Sequence, residues 1–81
     1  MEKVFEARDN LYLGMQQWLG NCGVGWIQIR DALKTLVDVG GYNEKNLLDE
    51  LAECGDELDY SWEDTTELQS NVKNWIDTNY G

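Results

Sequence analysis

Apolar residues recur at helical spacing from the start of the chain. Val4, Ala7, Leu11, Met15 and Trp18 fall on one stripe, with Phe5, Tyr12 and Leu19 beside it, so residues 2–19 are expected to form an amphipathic helix. Two residues break the pattern: Arg8 lies inside the apolar arc and Leu13 on the polar side. A charge in that arc needs a carboxylate partner or a subunit boundary to offset its desolvation. Gly20, Asn21, Gly23 and Gly25 mark a loop. A second stripe, Trp26, Ile29, Leu33, Leu36 and Val37, predicts a helix over 26–39 that ends at Gly40-Gly41. The β-branched and aromatic run from Val24 to Ile29 leaves a short strand open as the alternative start.

The third helix has a sharp beginning. Asn43 suits an N-cap, and Tyr42 and Leu47 are spaced to staple across it. Leu47, Leu51, Cys54 and Leu58 continue the stripe. Gly55 ends this helix or is carried within it. Leu58, Tyr60 and Trp62 alternate with polar residues, so one short extended segment is open there. The last helix is expected from about Asp64, with Glu67 as its capping-box partner and Leu68, Val72, Trp75, Ile76 and Asn79 or Tyr80 as its stripe. The fold class that follows is all-α, a compact bundle of about four short helices, in one domain over 1–81.

Composition narrows the function. Sixteen acidic residues stand against six basic ones, with no His, for a net charge of −10. Such a chain repels nucleic acid and anionic membrane and attracts basic protein surfaces. No apolar run approaches the length of a membrane span, and the N-terminus lacks the basic-then-apolar layout of a secretory signal. A cytoplasmic protein with two free thiols, Cys22 and Cys54, is expected. Proline is absent, so no proline-rich linker divides the chain.

Catalysis finds few parts. Without His there is no triad and no neutral-pH imidazole base, and Cys22 between glycines has nothing to activate it. Gly20 to Gly25 lacks the lysine and spacing of a phosphate loop. Two cysteines without histidine do not make an ordinary zinc site. The twelve residues from Asp56 to Glu67 have the length of a calcium-binding loop, with acids at the first, ninth and twelfth places. Leu58 and Tyr60 occupy two ligand places and Ser61 the turn where glycine is needed, so the segment reads as an acidic helix connection. No enzyme, no cofactor and no metal are expected.

The charge is concentrated. Residues 1–43 carry five acids and four bases, whereas residues 44–67 carry ten acids and one base. On a helical wheel Asp49, Glu50, Glu53, Asp56 and Glu57 fall within an arc of about 120°, opposite the leucine stripe. Like charges four apart destabilise a helix, so an unrelieved acidic ridge calls for an offsetting role. The ridge, continued by Asp59, Glu63, Asp64 and Glu67, is therefore assigned to partner binding, with a plain solvated face as the alternative. Charge reversal of Glu50, Glu53 and Glu57 is expected to leave the fold intact. Tyr60 and Trp62 lie within the acidic segment and are candidate interface anchors. Trp18, Trp26 and Trp75 read as core.

The charge profile is similar to that of the acidic DNA-mimic proteins that phages and mobile elements use against host nucleic-acid machinery. That group shares charge rather than motifs, so the resemblance transfers no residues. It implies an inhibitor that occupies the basic surface of a nuclease, CRISPR effector, restriction or repair enzyme, or nucleoid protein. Here residues 1–43 depart from the profile by being nearly neutral, which leaves a surface for a homodimer. The alternative is a helical adaptor or regulatory subunit that binds through apolar residues around Leu13, Tyr60 or Trp62. Neither reading has the chain bind nucleic acid or membrane itself.

Overall fold

The computed structural model describes residues 2–20 and 25–80. Among the described residues four helices follow one another: α1 Glu2–Leu19, α2 Gly25–Asp38, α3 Glu44–Glu57 and α4 Thr66–Tyr80. A 3-10 turn, Glu63–Thr65, precedes α4. The described residues contain no strand. The fold is thus an all-α bundle, with a radius of gyration of 11.4 Å, against about 11.7 Å for a compact chain of this length. No described helix is long and apolar enough to cross a membrane.

Each helix buries its apolar stripe in one shared cluster. Leu11 and Met15 of α1 meet Ile29, Leu33 and Leu36 of α2, Leu47 and Leu51 of α3, and Leu68 and Val72 of α4. Burial of this many leucine-sized side chains supplies most of the driving force, at about 1.5–3 kcal/mol each. The α1–α2 pair is the tightest contact. A Cβ at Gly14 would stand 2.8 Å from Ile29 Cγ1 and 3.1 Å from the Gly25 carbonyl oxygen. A Cβ at Gly25 would stand 2.6 Å from both the Gly14 oxygen and the Trp18 nitrogen. The two backbones meet directly there, which only glycine allows. Gly25 is therefore the first residue of α2 rather than a loop residue. The strand alternative fails over 25–29, and its first residue, Val24, lies outside the described residues, as do Asn21, Cys22 and Gly23.

Asn43 caps α3 by accepting from the Asn46 N–H at 2.9 Å, and Asn46 returns the bond to the Asn43 N–H at 3.1 Å. The extended segment left open at 58–62 is instead a helix-ending turn. Tyr60 N–H donates to the Gly55 carbonyl at 2.8 Å and Asp59 N–H to that of Asp56 at 3.1 Å. This is the Schellman pairing, with Asp59 at φ 63° in the position usually given to glycine. Backbone groups committed to closing α3 are not available to a strand. Gly55 is carried, buried, inside α3.

The start of α4 also differs from expectation. The reciprocal cap joins Ser61 and Asp64, not Asp64 and Glu67. Ser61 N–H donates to Asp64 Oδ2 at 3.1 Å, and Asp64 N–H donates to Ser61 Oγ at 3.2 Å. The cap therefore opens the 3-10 turn first, and α4 proper follows from Thr66. The α4 stripe ends at Ile76, because Asn79 and Tyr80 are exposed.

Candidate functional site

The outer face of α3 carries Asp49, Glu53, Asp56 and Glu57, all exposed. Their spacing of three and four residues sets them about 5–6 Å apart along the helix axis. The i,i+4 pairs Asp49–Glu53 and Glu53–Glu57 each cost the helix about 0.2–0.5 kcal/mol. The face continues through Asp59, Glu63, Asp64 and Glu67, which are exposed on the connection and the first turn of α4.

Glu50 does not belong to this face. It is only 9% exposed. Its Oε1 lies 3.1 Å from Arg8 Nε, and the same nitrogen donates to Oε2 at 3.2 Å. Tyr42 donates its hydroxyl to Oε1 at 3.3 Å. The predicted ridge thus loses its innermost member to a structural pair. Arg8 also reaches Glu53 Oε2 through Nη2, at 3.5 Å. The carboxylate partner that Arg8 required is therefore on α3, 42 residues away. Glu50 raises the Arg8 pKa further above its usual value, and burial opposes this only in part. The expectation that Glu50, Glu53 and Glu57 can all be reversed without harm to the fold is accordingly wrong for Glu50. Both ion pairs among the described residues use Arg8. Of the exposed carboxylates from Asp49 to Glu67, Glu53 alone has a base within 4.0 Å among the described residues.

The 60–65 connection holds its two aromatics differently. Tyr60 is half-buried and Trp62 is 46% exposed. The Trp62 carbonyl accepts from Thr65 Oγ1 at 2.8 Å and from Gln69 Nε2 at 2.8 Å. Gln69 Nε2 also donates to Thr65 Oγ1 at 2.9 Å. Trp62 therefore presents its ring to solvent from a fixed backbone, beside a small cleft of about 200 Å³ lined by Tyr60, Gly55 and Thr65.

Between α1 and α3 lies an open cleft of about 430 Å³ with Phe5, Tyr12, Glu53, Glu57 and Cys54 among its walls. Cys54 sits at the core edge of this cleft and is buried. Burial, reinforced by the negative charge of Glu50, Glu57 and Glu53, pushes its thiol up to about 12. At neutral pH it is a protonated, unreactive thiol rather than a nucleophile. No group of three or more His, Cys, Asp or Glu among the described residues is arranged to hold a metal ion.

The tryptophans correct a further expectation. Trp18, Trp26 and Trp75 are half-buried: they pack against the core cluster and also line a groove of about 390 Å³. Trp18 and Trp26 touch with ring centroids 6.1 Å apart and planes tilted by 56°. Trp75 meets Tyr80 edge-on at 5.5 Å. Helical periodicity identifies which side of each helix turns inward, but not where neighbouring helices leave a ring half covered. The Asn71, Asn74 and Thr78 set beside Trp75 on one face of α4 was the available signal.

The chain matches no family model, and no curated protein or solved structure matches it either.

Proposed function

We propose that this chain is a non-enzymatic acidic inhibitor that occupies a basic, nucleic-acid-binding surface of another protein. The observation that carries the reading is the exposed carboxylate row Asp49, Glu53, Asp56, Glu57, Asp59, Glu63, Asp64 and Glu67, in which only Glu53 has a base in reach among the described residues. Duplex DNA offers a phosphate about every 3.4 Å along each strand. Carboxylates about 6 Å apart on a rigid helix are a sparser version of the same signal to a basic groove. The mechanism is occlusion: the acidic face meets Lys and Arg side chains, and the body of the bundle blocks the nucleic acid. Trp62, held by its backbone and open at its ring, supplies an apolar anchor within that face.

The test has two steps. Proteins captured by the immobilised chain at low salt are eluted with rising salt. Each captured protein is then bound to a fluorescently labelled DNA duplex, and the chain is added as competitor. Displacement of the duplex, weakened by salt and abolished by Asp56→Lys with Glu57→Lys, is expected. Capture that resists high salt, with duplex binding undisturbed, sinks the inhibitor reading and favours the adaptor reading with Trp62 and Leu13 as contacts. Leu13 is 45% exposed on α1, which suits that second reading.

A further inference from the structure

The cleft between α1 and α3 joins two kinds of wall. Phe5, Asp9 and Tyr12 recur at helical spacing along the α1 side, and Glu50, Glu53 and Glu57 do so along the α3 side. The cleft is open, and its volume of about 430 Å³ falls in the range of about 300–1,000 Å³ usual for ligand clefts. Phe5 is 60% exposed, so its ring face is available. Four carboxylates, those of Asp9, Glu50, Glu53 and Glu57, stand against the one guanidinium of Arg8. Arg8 pairs with Glu50 and Glu53, whereas Asp9 and Glu57 have no base within 4.0 Å among the described residues. The charge of the α3 wall converges on Cys54, whose thiol is pushed up chiefly by burial and then by Glu50, Glu57 and Glu53. Arg8 is an internal precedent: one guanidinium already lies in this cleft, shared between two α3 carboxylates.

The chemistry of the walls selects the occupant. Their excess negative charge turns away anions, nucleic acid included. A bare divalent cation finds no cage, since no three acidic or sulfur ligands among the described residues are arranged to hold one. A second copy of the chain is disfavoured, because each carries a net charge of −10. An apolar segment would desolvate Asp9 and Glu57 and give them no partner. A lysine ammonium matches the charge, but it is a strongly hydrated point that makes little use of a ring face. A guanidinium suits both walls. It is planar and weakly hydrated, it stacks on aromatic rings, and its donors fork onto carboxylates.

We propose that this cleft receives an arginine side chain of the basic partner protein, stacked on Phe5 and paired with Asp9 and Glu57. The source of that arginine rests on the inhibitor reading, whereas the preference of the cleft for a guanidinium does not. Asp9 follows Phe5 by four residues, which puts the two one turn apart on the same face of α1. Glu57 answers from α3 across the cleft. Arg8 holds Glu50 and Glu53, so the incoming arginine has no need to displace it. The exposed carboxylate row attracts any basic surface. The cleft adds a requirement for one arginine that projects far enough to reach the Phe5 ring.

Phe5 is the only phenylalanine of the chain, so labelling with 4-fluorophenylalanine gives one 19F resonance at the cleft. The probes are N-acetyl-arginine amide and its lysine and citrulline counterparts, the last an uncharged near-isostere of arginine, each titrated at low salt. The expected result is a saturable shift with arginine, at a concentration at least about threefold below that for lysine, and none with citrulline. Asp9→Asn with Glu57→Gln removes the two unpaired carboxylates at exposed positions. It should remain helical by circular dichroism and bind arginine about tenfold more weakly. Glu63→Gln with Glu67→Gln removes the same charge outside the cleft and should bind arginine within about twofold of the parent. Three outcomes overturn the proposal: no saturation with arginine, saturation by lysine or citrulline as readily as by arginine, or equal binding by the two double variants. Duplex displacement that survives any of them leaves the inhibitor reading standing. Selective arginine saturation in a chain that displaces no duplex supports the cleft and removes that reading.

Discussion

Arg8 on α1 and Glu50 on α3 form a two-oxygen contact, 3.1 and 3.2 Å from one nitrogen, at the edge of the hydrophobic cluster. The arginine side chain is 39% exposed and the glutamate side chain 11%. The pair is thus asymmetric: Glu50 depends on Arg8 more than Arg8 depends on Glu50. Removing one partner of a largely desolvated pair leaves a charge without compensation. Arg8→Leu should cost about 1–3 kcal/mol, the residue of stability being held by the Tyr42 hydroxyl. Glu50→Lys should cost more, because it also repels Arg8. Urea melts of both variants, and of an Arg8→Leu, Glu50→Leu double variant that regains part of the loss, measure the coupling. Equal stability of Arg8→Leu and the parent would mean the pair contributes nothing net.

The exposed acids should behave oppositely. Asp56→Lys with Glu57→Lys relieves like-charge neighbours at two exposed positions. Stability should hold or rise by a few tenths of a kcal/mol. Binding to a basic partner should fall by at least about tenfold, since favourable contacts become repulsive. Thermal melts and the duplex-displacement assay read the two effects separately. A double variant that displaces duplex as well as the parent would reduce the face to a solubility device.

Gly14→Ala tests the helix crossing. The new Cβ would meet Ile29 and the Gly25 carbonyl at or inside contact distance. Forced separation of well-packed elements typically costs about 1–3 kcal/mol. The comparison is Gly41→Ala, where φ is 69° and no atom lies within 4 Å, so only backbone strain operates. That strain is about 1 kcal/mol. A Gly14→Ala variant no less stable than Gly41→Ala would show that α1 and α2 separate easily.

Asp59→Gly should stabilise the protein by about 0.5–1 kcal/mol, because glycine occupies positive φ without the Cβ penalty that Asp bears. The gain should appear in a chemical denaturation midpoint with an unchanged slope. A loss of stability would reveal an interaction of the Asp59 carboxylate beyond its backbone role.

Cys54 sets an alkaline limit. Its folded pKa, pushed up to about 12, stands above the ordinary thiol value. A raised pKa contributes stability that is complete below the unfolded value and is lost as pH rises toward the folded one. Stability should therefore decline from about pH 9 upward, by about 2–4 kcal/mol by pH 12. The Tyr42 hydroxyl, raised chiefly by burial and then by Glu50, acts in the same direction. Cys54→Ala should flatten the pH profile of unfolding. In a Cys22→Ser background, the parent thiol should react with a disulfide reagent only on unfolding. Rapid reaction at neutral pH would contradict the buried placement.

The four helices were legible because each stripe is buried where periodicity puts it. Leu47, Leu51 and Cys54 face inward, and Asn43 caps α3 as its side chain suggests. Glu50 was misplaced by treating the acidic arc as uniform. At about 100° per residue it lies about 40° from Cys54, nearest of the five to the stripe. Arg8, out of place on α1, asked for such a partner, but which carboxylate answers depends on how α1 and α3 pack. The turn after α3 was missed because Asp59 fills a place that glycine usually announces. The tryptophan groove depends on the gap between α1, α2 and α4, a property of the assembled bundle rather than of any single helix.

The glycine contact between α1 and α2 also bears on the order in which the molecule comes together. Its two sides are close in sequence, so little loop entropy opposes their meeting. The crossing is determined by backbone rather than by side-chain fit, so it can form before the leucines settle. The α1–α2 hairpin is then the expected nucleus, onto which α3 and α4 dock, and the Arg8–Glu50 pair closes late. Gly14→Ala would accordingly slow refolding, whereas Arg8→Leu would mainly speed unfolding.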